Sequence, residues 1–243
     1  MIASPQNEKL KLVRKLRDRK HREREGLFAT EGEDLVEAGR AAGVEPKFVL
    51  TAAGYGLSQK WGGEEVEPEL LGEVSSLGSG TRAIAIWPLR WSEGAAAPCV
   101  YLHGVADPGN VGAIVRTAHA LLHGTVVLGP GCADPYSPKA VRASMGSIFA
   151  QPPLRGGLGE TPAPRVALVA HGGEGLAALD GAATLCLGAE REGLPDEVLS
   201  ECDATVTIPL RAGAAESLNV AAAAAIAAQR ISSPAMSEDA PDA

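Results

Sequence analysis

The sequence predicts an α/β protein: a mostly parallel sheet covered by helices on both faces, preceded by a smaller α/β unit. From residue 99 onward, short β-rich runs alternate with helical runs, as expected for parallel strands joined by crossover helices. Upstream, a shorter set of helical and strand-like segments ends in SEGAAAP (92–98), whose small residues, glycine and proline suit a linker. Composition agrees, since 243 residues with 45% hydrophobic and 21% charged side chains can bury a sizeable core. No apolar run approaches the roughly 18 to 20 residues of a membrane span, so no membrane partner is expected. Charges in MIASPQNEKLK fall where a signal peptide would be apolar, which predicts a cytoplasmic location.

The first unit opens on a charge anomaly. The chain carries a net −8, yet 9–25 holds nine basic residues (Lys9, Lys11, Arg14, Lys15, Arg17, Arg19, Lys20, Arg22 and Arg24) against Asp18, Glu23 and Glu25. Leu10, Val13 and Leu16 recur every three residues, which predicts one cationic helix with a thin apolar stripe. Such a helix is either a solvated face held by charge pairs or an electrostatic footprint for RNA or DNA, and charge alone does not choose. The footprint would rest on Arg14, Arg17 and Lys20. A second helix is expected over 33–42, closed by Gly43, then a strand-like PKFVLT (46–51), a loop over 54–63, a helix over 68–77 and a strand RAIAIW (82–87).

In the second region, strands are expected at 99–105, 125–129, 166–170, 184–188 and 205–209, with helices at 110–122, 137–145, 195–202 and 217–230. The acidic end, 232–243, lacks periodicity and is rich in small polar residues and proline, which predicts a disordered tail. Ligands in parallel sheets sit where strand ends meet loops. Three strand-to-loop-to-helix junctions therefore draw attention: DPGNVGAIVRTAHA (107–120), LCLGAEREGLP (185–195) and IPLRAGAAESLNV (208–220). Taken singly, each is equally a structural turn.

Several functions are excluded. GSGTRA (78–83) loosely matches a dinucleotide fingerprint, but it follows a helix and opens a strand, the reverse of what that fingerprint needs, so a nicotinamide enzyme is not supported. Nucleophile-elbow, zinc-peptidase and P-loop motifs are lacking in the sequence. The four cysteines, Cys99, Cys132, Cys186 and Cys202, have no metal or redox spacing and read as inert thiols. His103, His119 and His123 do not place three ligands on one helical face and read as surface or satisfied core residues; no metal is expected.

Together and in this order, the three junctions resemble the SpoU family of RNA ribose 2'-O-methyltransferases, within the SPOUT class of S-adenosylmethionine-dependent enzymes. The first family motif appears as Asn110, Gly112 and Arg116, the second as Leu187, Gly188, Glu190 and Gly193, and the third as Ile208, Pro209, Ser217, Leu218, Asn219 and Val220. The connecting segment PYSPKAVRASMGSIF, with Lys139, Arg142, Ser144 and Gly146, is similar too. The amino-terminal piece, with FATEG at 28–32, resembles an L30e-like RNA-binding domain. The resemblance implies such a domain over 1–91, a linker over 92–98, and a methyltransferase domain over 99–231 with a carboxyl-terminal trefoil knot.

The resemblance also implies the site. Backbone at Gly188, Ile208 and Leu218 would hold the cofactor's adenosine, with Leu187 and Leu210 lining the pocket. Arg116 would stand beside the ribose 2'-oxygen. A guanidinium with pKa above about 12 is a poor proton acceptor, which favours an electrostatic role. Asn110 and Asn219 would orient the site, Ser217 would bond the target nucleotide or Asn219, and Glu190 would fix Arg116 or Arg142 or shape its loop. Arg142 would contact RNA. The family acts as homodimers, and an alanine-rich helix from Ser217 allows close packing by another helix. HALLHG (119–124) and the Arg191–Glu192 pair depart from the family pattern and bear on substrate preference. The rival expectation is an RNA-binding protein that retains the fold without catalysis.

Overall fold

Asp18 decides how the amino-terminal segment folds. Its extended backbone lets its carboxylate accept a hydrogen bond from the Lys20 backbone N–H at 2.9 Å, so it caps a new helix instead of continuing the old one. The expected single cationic helix is therefore two, α1 (Glu8–Lys15) and α2 (Arg19–Glu25). Its apolar stripe is as expected: Leu10, Val13 and Leu16 are buried. This geometry comes from a computed structural model describing residues 1–78, 80–211, 213 and 216–233, in which the chain forms two compact units.

The first unit comprises Met1–Trp91 and Asp134–Pro152. After α2 come β1 (Leu27–Glu31), α3 (Glu33–Ala41), β2 (Phe48–Ala52), α4 (Leu57–Trp61), β3 (Glu64–Val66), α5 (Pro68–Val74) and β4 (Ala83–Pro88). The strands form a sheet of order β1-β4-β2-β3, antiparallel except for the β2–β3 pair. FATEG is the body of β1, and its residues have structural duties. Phe28 packs on Tyr136 and Phe149, with ring centroids 4.8 and 5.7 Å apart. Thr30 accepts the buried Trp87 indole N–H at 2.8 Å, and the Glu31 carboxylate accepts the Ser76 backbone N–H at 2.8 Å.

In the second unit the chain forms β5 (Cys99–Leu102), α6 (Pro108–Thr117), a π-helical turn at Ala118–Leu122 and β6 (Val126–Leu128). The stretch 134–152, expected within the methyltransferase domain, carries α7 (Pro138–Ser144) and α8 (Ser147–Ala150) and packs in the first unit. The second unit resumes with β7 (Leu154–Arg155), β8 (Arg165–Leu168), β9 (Thr184–Leu187), α9 (Asp196–Leu199), β10 (Ala204–Val206) and α10 (Val220–Ser232). Its six strands are ordered β10-β8-β9-β5-β6-β7 and all neighbours run parallel. The central β5 and β9 are buried throughout, as a sheet covered on both faces requires. α10 ends at Ser232, and the rest of the expected tail lies, beyond Ser233, outside the described residues.

The 134–152 stretch is pinned by charge. Asp134 meets Arg22 in a buried pair, Arg22 Nη2 to Asp134 Oδ2 at 2.5 Å and Nε to the same oxygen at 3.0 Å. Arg22 Nη1 also donates to the carbonyls of Leu16 and Arg17, each at 2.7 Å. This cation belongs to the interior and not to any RNA footprint. Removing one member of such a pair strands the other away from water. Arg22→Met is expected to lower unfolding free energy by about 3 to 5 kcal/mol, read from urea denaturation; a loss below about 1 kcal/mol would mean that the pair behaves like an exposed one.

Candidate active site

Three adjacent parallel strands, β10, β8 and β9, deliver their carboxyl ends to one side of the sheet, where open α/β sheets bind ligands. The segments leaving them surround a pocket of about 330 Å³. All five residues expected to hold the cofactor, Leu187, Gly188, Ile208, Leu210 and Leu218, line it. Of these, Leu187 is buried, whereas Leu210 and Leu218 are 39% and 38% exposed. Glu190, Arg191, Glu192 and Ser217 add polar groups to the wall.

The loop after β9 is closed on itself. Ala189 and Gly193 exchange backbone hydrogen bonds, Ala189 N–H to the Gly193 carbonyl at 3.1 Å and the reverse at 3.0 Å. Gly193 closes this turn with φ +70°, a conformation costly for side-chain-bearing residues. Gly188 lies under the returning strand of the loop. A Cβ there would stand 2.1 Å from the Gly193 carbonyl carbon and 2.4 Å from the Leu194 nitrogen.

The three sequence motifs meet beside this loop. Asn110 Nδ2 donates to Glu190 Oε1 at 2.6 Å, and Asn219 Nδ2 donates to Asn110 Oδ1 at 3.1 Å. Each asparagine is set by a helix start. Asp107 caps α6 by accepting the Asn110 backbone N–H, and Asn219 caps α10 by accepting from Ala221 and Ala222. Helices α6 and α10 pack together, with Gly112, Ala224, Ala227 and Ala228 buried. The small residues of α10 thus serve a helix of the same protomer, while Ile226 remains exposed on it.

Of the other expected site residues, Arg116 and Arg142 do not line the pocket. Arg116, in the last turn of α6, is exposed, does not line the pocket, and Glu190 bonds Asn110 in place of it. Ser217 lines the pocket, and Arg142 is exposed on α7 in the first unit. Arg17 and Lys20 are exposed, and Arg14 donates to the Pro5 carbonyl at 2.9 Å. Among the described residues, none of these three has a carboxylate partner. In contrast, Lys9, Lys11, Arg19, Arg22 and Arg24 pair with Glu64, Glu8, Glu23, Asp134 and Glu25. Among the described residues Lys15 likewise has no ion-pair partner.

Leu168, Val169 and Ala170 at the exit of β8 also line the pocket. Nothing in their sequence marks them, because their role follows from β8 lying between β10 and β9. The cysteines are free, and none lines the pocket. Burial pushes the Cys99 and Cys132 thiols up, and at Cys186 hydrogen bonding with Cys202 and burial act in the same direction. Raised thiols are poor nucleophiles, which fits the expectation for Cys99, Cys132 and Cys186, whereas the hydrogen bond with Cys186 lowers the Cys202 thiol. His119 and His123 meet edge-on, with ring centroids 6.2 Å apart, and His103 Nδ1 lies 3.3 Å from the Tyr101 hydroxyl.

The chain is similar to known proteins along most of its length. A model described as the SpoU rRNA Methylase family matches residues 97–229, and one described as an MRM3-like substrate binding domain matches 7–77. The chain is 33% identical over 242 residues to the 23S rRNA (guanosine(2553)-2'-O)-methyltransferase RlmP of Bacillus subtilis, an alignment spanning 93% of this chain and 96% of that protein. An AdoMet-bound rRNA methyltransferase from Sinorhizobium meliloti superposes with TM-score 0.81 and 29% identity, over 94% of this chain and 96% of that one. The AdoMet complex of the SpoU methyltransferase AviRb from Streptomyces viridochromogenes gives TM-score 0.79 and 26% identity, over 93% and 98%.

Proposed function

The chain belongs to the SpoU rRNA methylase family, and from that premise we infer that it methylates a ribose 2'-hydroxyl of ribosomal RNA with S-adenosylmethionine. The observation that carries this reading is the hydrogen-bonded chain Glu190–Asn110–Asn219, which ties three separated motifs together beside one pocket. The pocket suits the cofactor. Apolar walls from Leu187, Ile208, Leu210 and Leu218 match an adenosine, and the Glu190 and Glu192 carboxylates complement a cationic sulfonium. Bound there, S-adenosylmethionine supplies a methyl group activated by the positive sulfur.

The chain's own residues do the rest by placement, and placement can supply much of the rate. Glu190 shapes its loop by fixing Asn110. Asn110 in turn fixes Asn219, so the pocket wall and the starts of α6 and α10 hold one arrangement. Ser217, on the wall, is placed to bond the target nucleotide. Arg116 stabilises negative charge developing on the 2'-oxygen and holds a neighbouring phosphate. Its exposure away from the pocket of its own protomer supports a homodimer in which it serves the partner's site, with exposed Ile226 as part of the contact. The trefoil knot implied by the family resemblance is part of this proposal. We place the reaction in the cytoplasm, with its ribosomal RNA substrate.

The test is direct. Incubating the protein with methyl-labelled cofactor and protein-free ribosomal RNA is expected to put label on a ribose 2'-oxygen, located by nucleoside mass spectrometry. Label on a base, or none, would overturn the assignment.

The first unit, as an L30e-like domain, supplies RNA affinity through the cations without carboxylate partners. Replacing Arg14, Arg17 and Lys20 together by glutamine is expected to weaken binding to a 23S rRNA transcript. It should also reduce the slope of log K against log salt by roughly 2, since each lost phosphate contact removes about 0.7 to 0.9. A titration with an unchanged slope would return these residues to solvent.

A further inference from the structure

Large apolar side chains scattered singly over a surface need no explanation, but Tyr55 and Leu77 are both found near one arginine. Tyr55 is 55% exposed and Leu77 50% exposed. Tyr55 stands between Gly54 and Gly56, with φ +87° and +69°, on the turn between β2 and α4. A Cβ at either glycine would meet open space, so these glycines serve the turn's left-handed backbone and not close packing. The turn holds the tyrosine outward. The Arg82 guanidinium carbon lies 5.6 Å from the centroid of its ring, within cation–π range.

Arg82 also borders a hollow lined by Gly32, Glu33, Asp34, Leu77, Gly80 and Thr81. Its Nη2 pairs with Glu33 Oε1 at 2.7 Å. With Glu33 and Asp34 against one arginine, the hollow disfavours a phosphate. It favours an uncharged flat group that has N–H donors on its edge, for which carboxylates are acceptors. An exposed aromatic ring and a guanidinium plane beside acidic acceptors are what an unstacked nucleobase uses.

Resting on the reading of the protein as an rRNA methyltransferase, we propose that Tyr55 and Arg82 form a stacking platform for an unpaired nucleobase of the substrate RNA, with Glu33 and Asp34 accepting hydrogen bonds from its edge. The site is separate from Arg14, Arg17 and Lys20, and its chemistry differs. It reads a base, while they neutralise phosphate.

The test uses the full chain and a protein-free 23S rRNA transcript. Tyr55→Ala is expected to weaken binding about tenfold, the range of one lost base–aromatic stack, without changing the salt slope. Tyr55→Phe, which keeps the ring, is expected to bind like the wild type. Ultraviolet cross-linking of the wild type should place a nucleotide adduct on the peptide bearing Tyr55. The exposed position leaves the core intact, which an unchanged melting temperature of Tyr55→Ala verifies. Wild-type affinity in Tyr55→Ala, an equal loss in Tyr55→Phe, or an altered salt slope would each overturn the platform. If the wild type neither binds nor methylates the transcript, the methyltransferase reading falls and the platform with it. If the wild type does both and Tyr55→Ala matches it, the platform alone falls.

Discussion

Arg116→Ala is expected to abolish methyl transfer while leaving the affinity for S-adenosylmethionine nearly unchanged. The two halves of this expectation come from different observations. Arg116 is outside the pocket lining, so its loss removes nothing from the walls that hold the cofactor. Its charge, however, is the one assigned to the 2'-oxygen in the transition state, and deleting a donor of that kind costs about 100- to 1000-fold in kcat. Arg116→Lys restores charge without the planar fork and should recover only part of the rate. Single-turnover kinetics beside calorimetric cofactor titration separates the two effects. Full activity in Arg116→Ala would remove this residue from the chemistry, and a large loss of cofactor affinity would make it part of the pocket.

Gly188→Ala is expected to do the opposite, striking cofactor binding first. One added methyl group would meet backbone on the facing side of its own loop, with the Gly193 carbonyl oxygen 2.3 Å away. Backbone cannot rotate aside as a flexible side chain can, so the loop must open and the paired hydrogen bonds between Ala189 and Gly193 must stretch. Overpacking of this sort costs about 1 to 3 kcal/mol. Expressed at the site, that is roughly 5- to 150-fold in Kd. Opening the loop also displaces Glu190 and, through it, Asn110. Transfer should therefore remain slow even at saturating cofactor. An alanine variant with wild-type affinity and rate would mean that the loop has another stable shape.

The contrast between these variants reflects what the chain discloses in one dimension. The strands at 99–102, 126–128 and 184–187 are legible because parallel strands buried on both faces read as unbroken apolar runs. The motif junctions are legible because Gly188, Asn110 and Asn219 stand where a strand stops and a helix starts. The break between α1 and α2 is harder to see, since Leu10, Val13 and Leu16 keep helical spacing while one capping carboxylate at Asp18 overrides it. Arg22 looks like its eight basic neighbours, and only a partner 112 positions away makes it an interior residue. The contribution of Leu168 to Ala170 follows from strand order, which local pattern does not carry. The direction of Arg116 follows from helix phase: it lies six positions after Asn110, about 600° at 100° per residue, so the two side chains leave α6 on different faces.

The interleaving of the chain has a practical consequence for anyone who would take the protein apart. A fragment cut at Trp91 keeps all four strands of the first sheet yet forfeits Asp134, Tyr136 and Phe149. It would be left with the Arg22 guanidinium without its counter-ion and with aromatic faces of Phe28 and Trp87 laid bare. Exchanging this module between relatives, or grafting it onto another enzyme, therefore calls for two excisions and a rejoining of distant segments, not a single cut after Trp91.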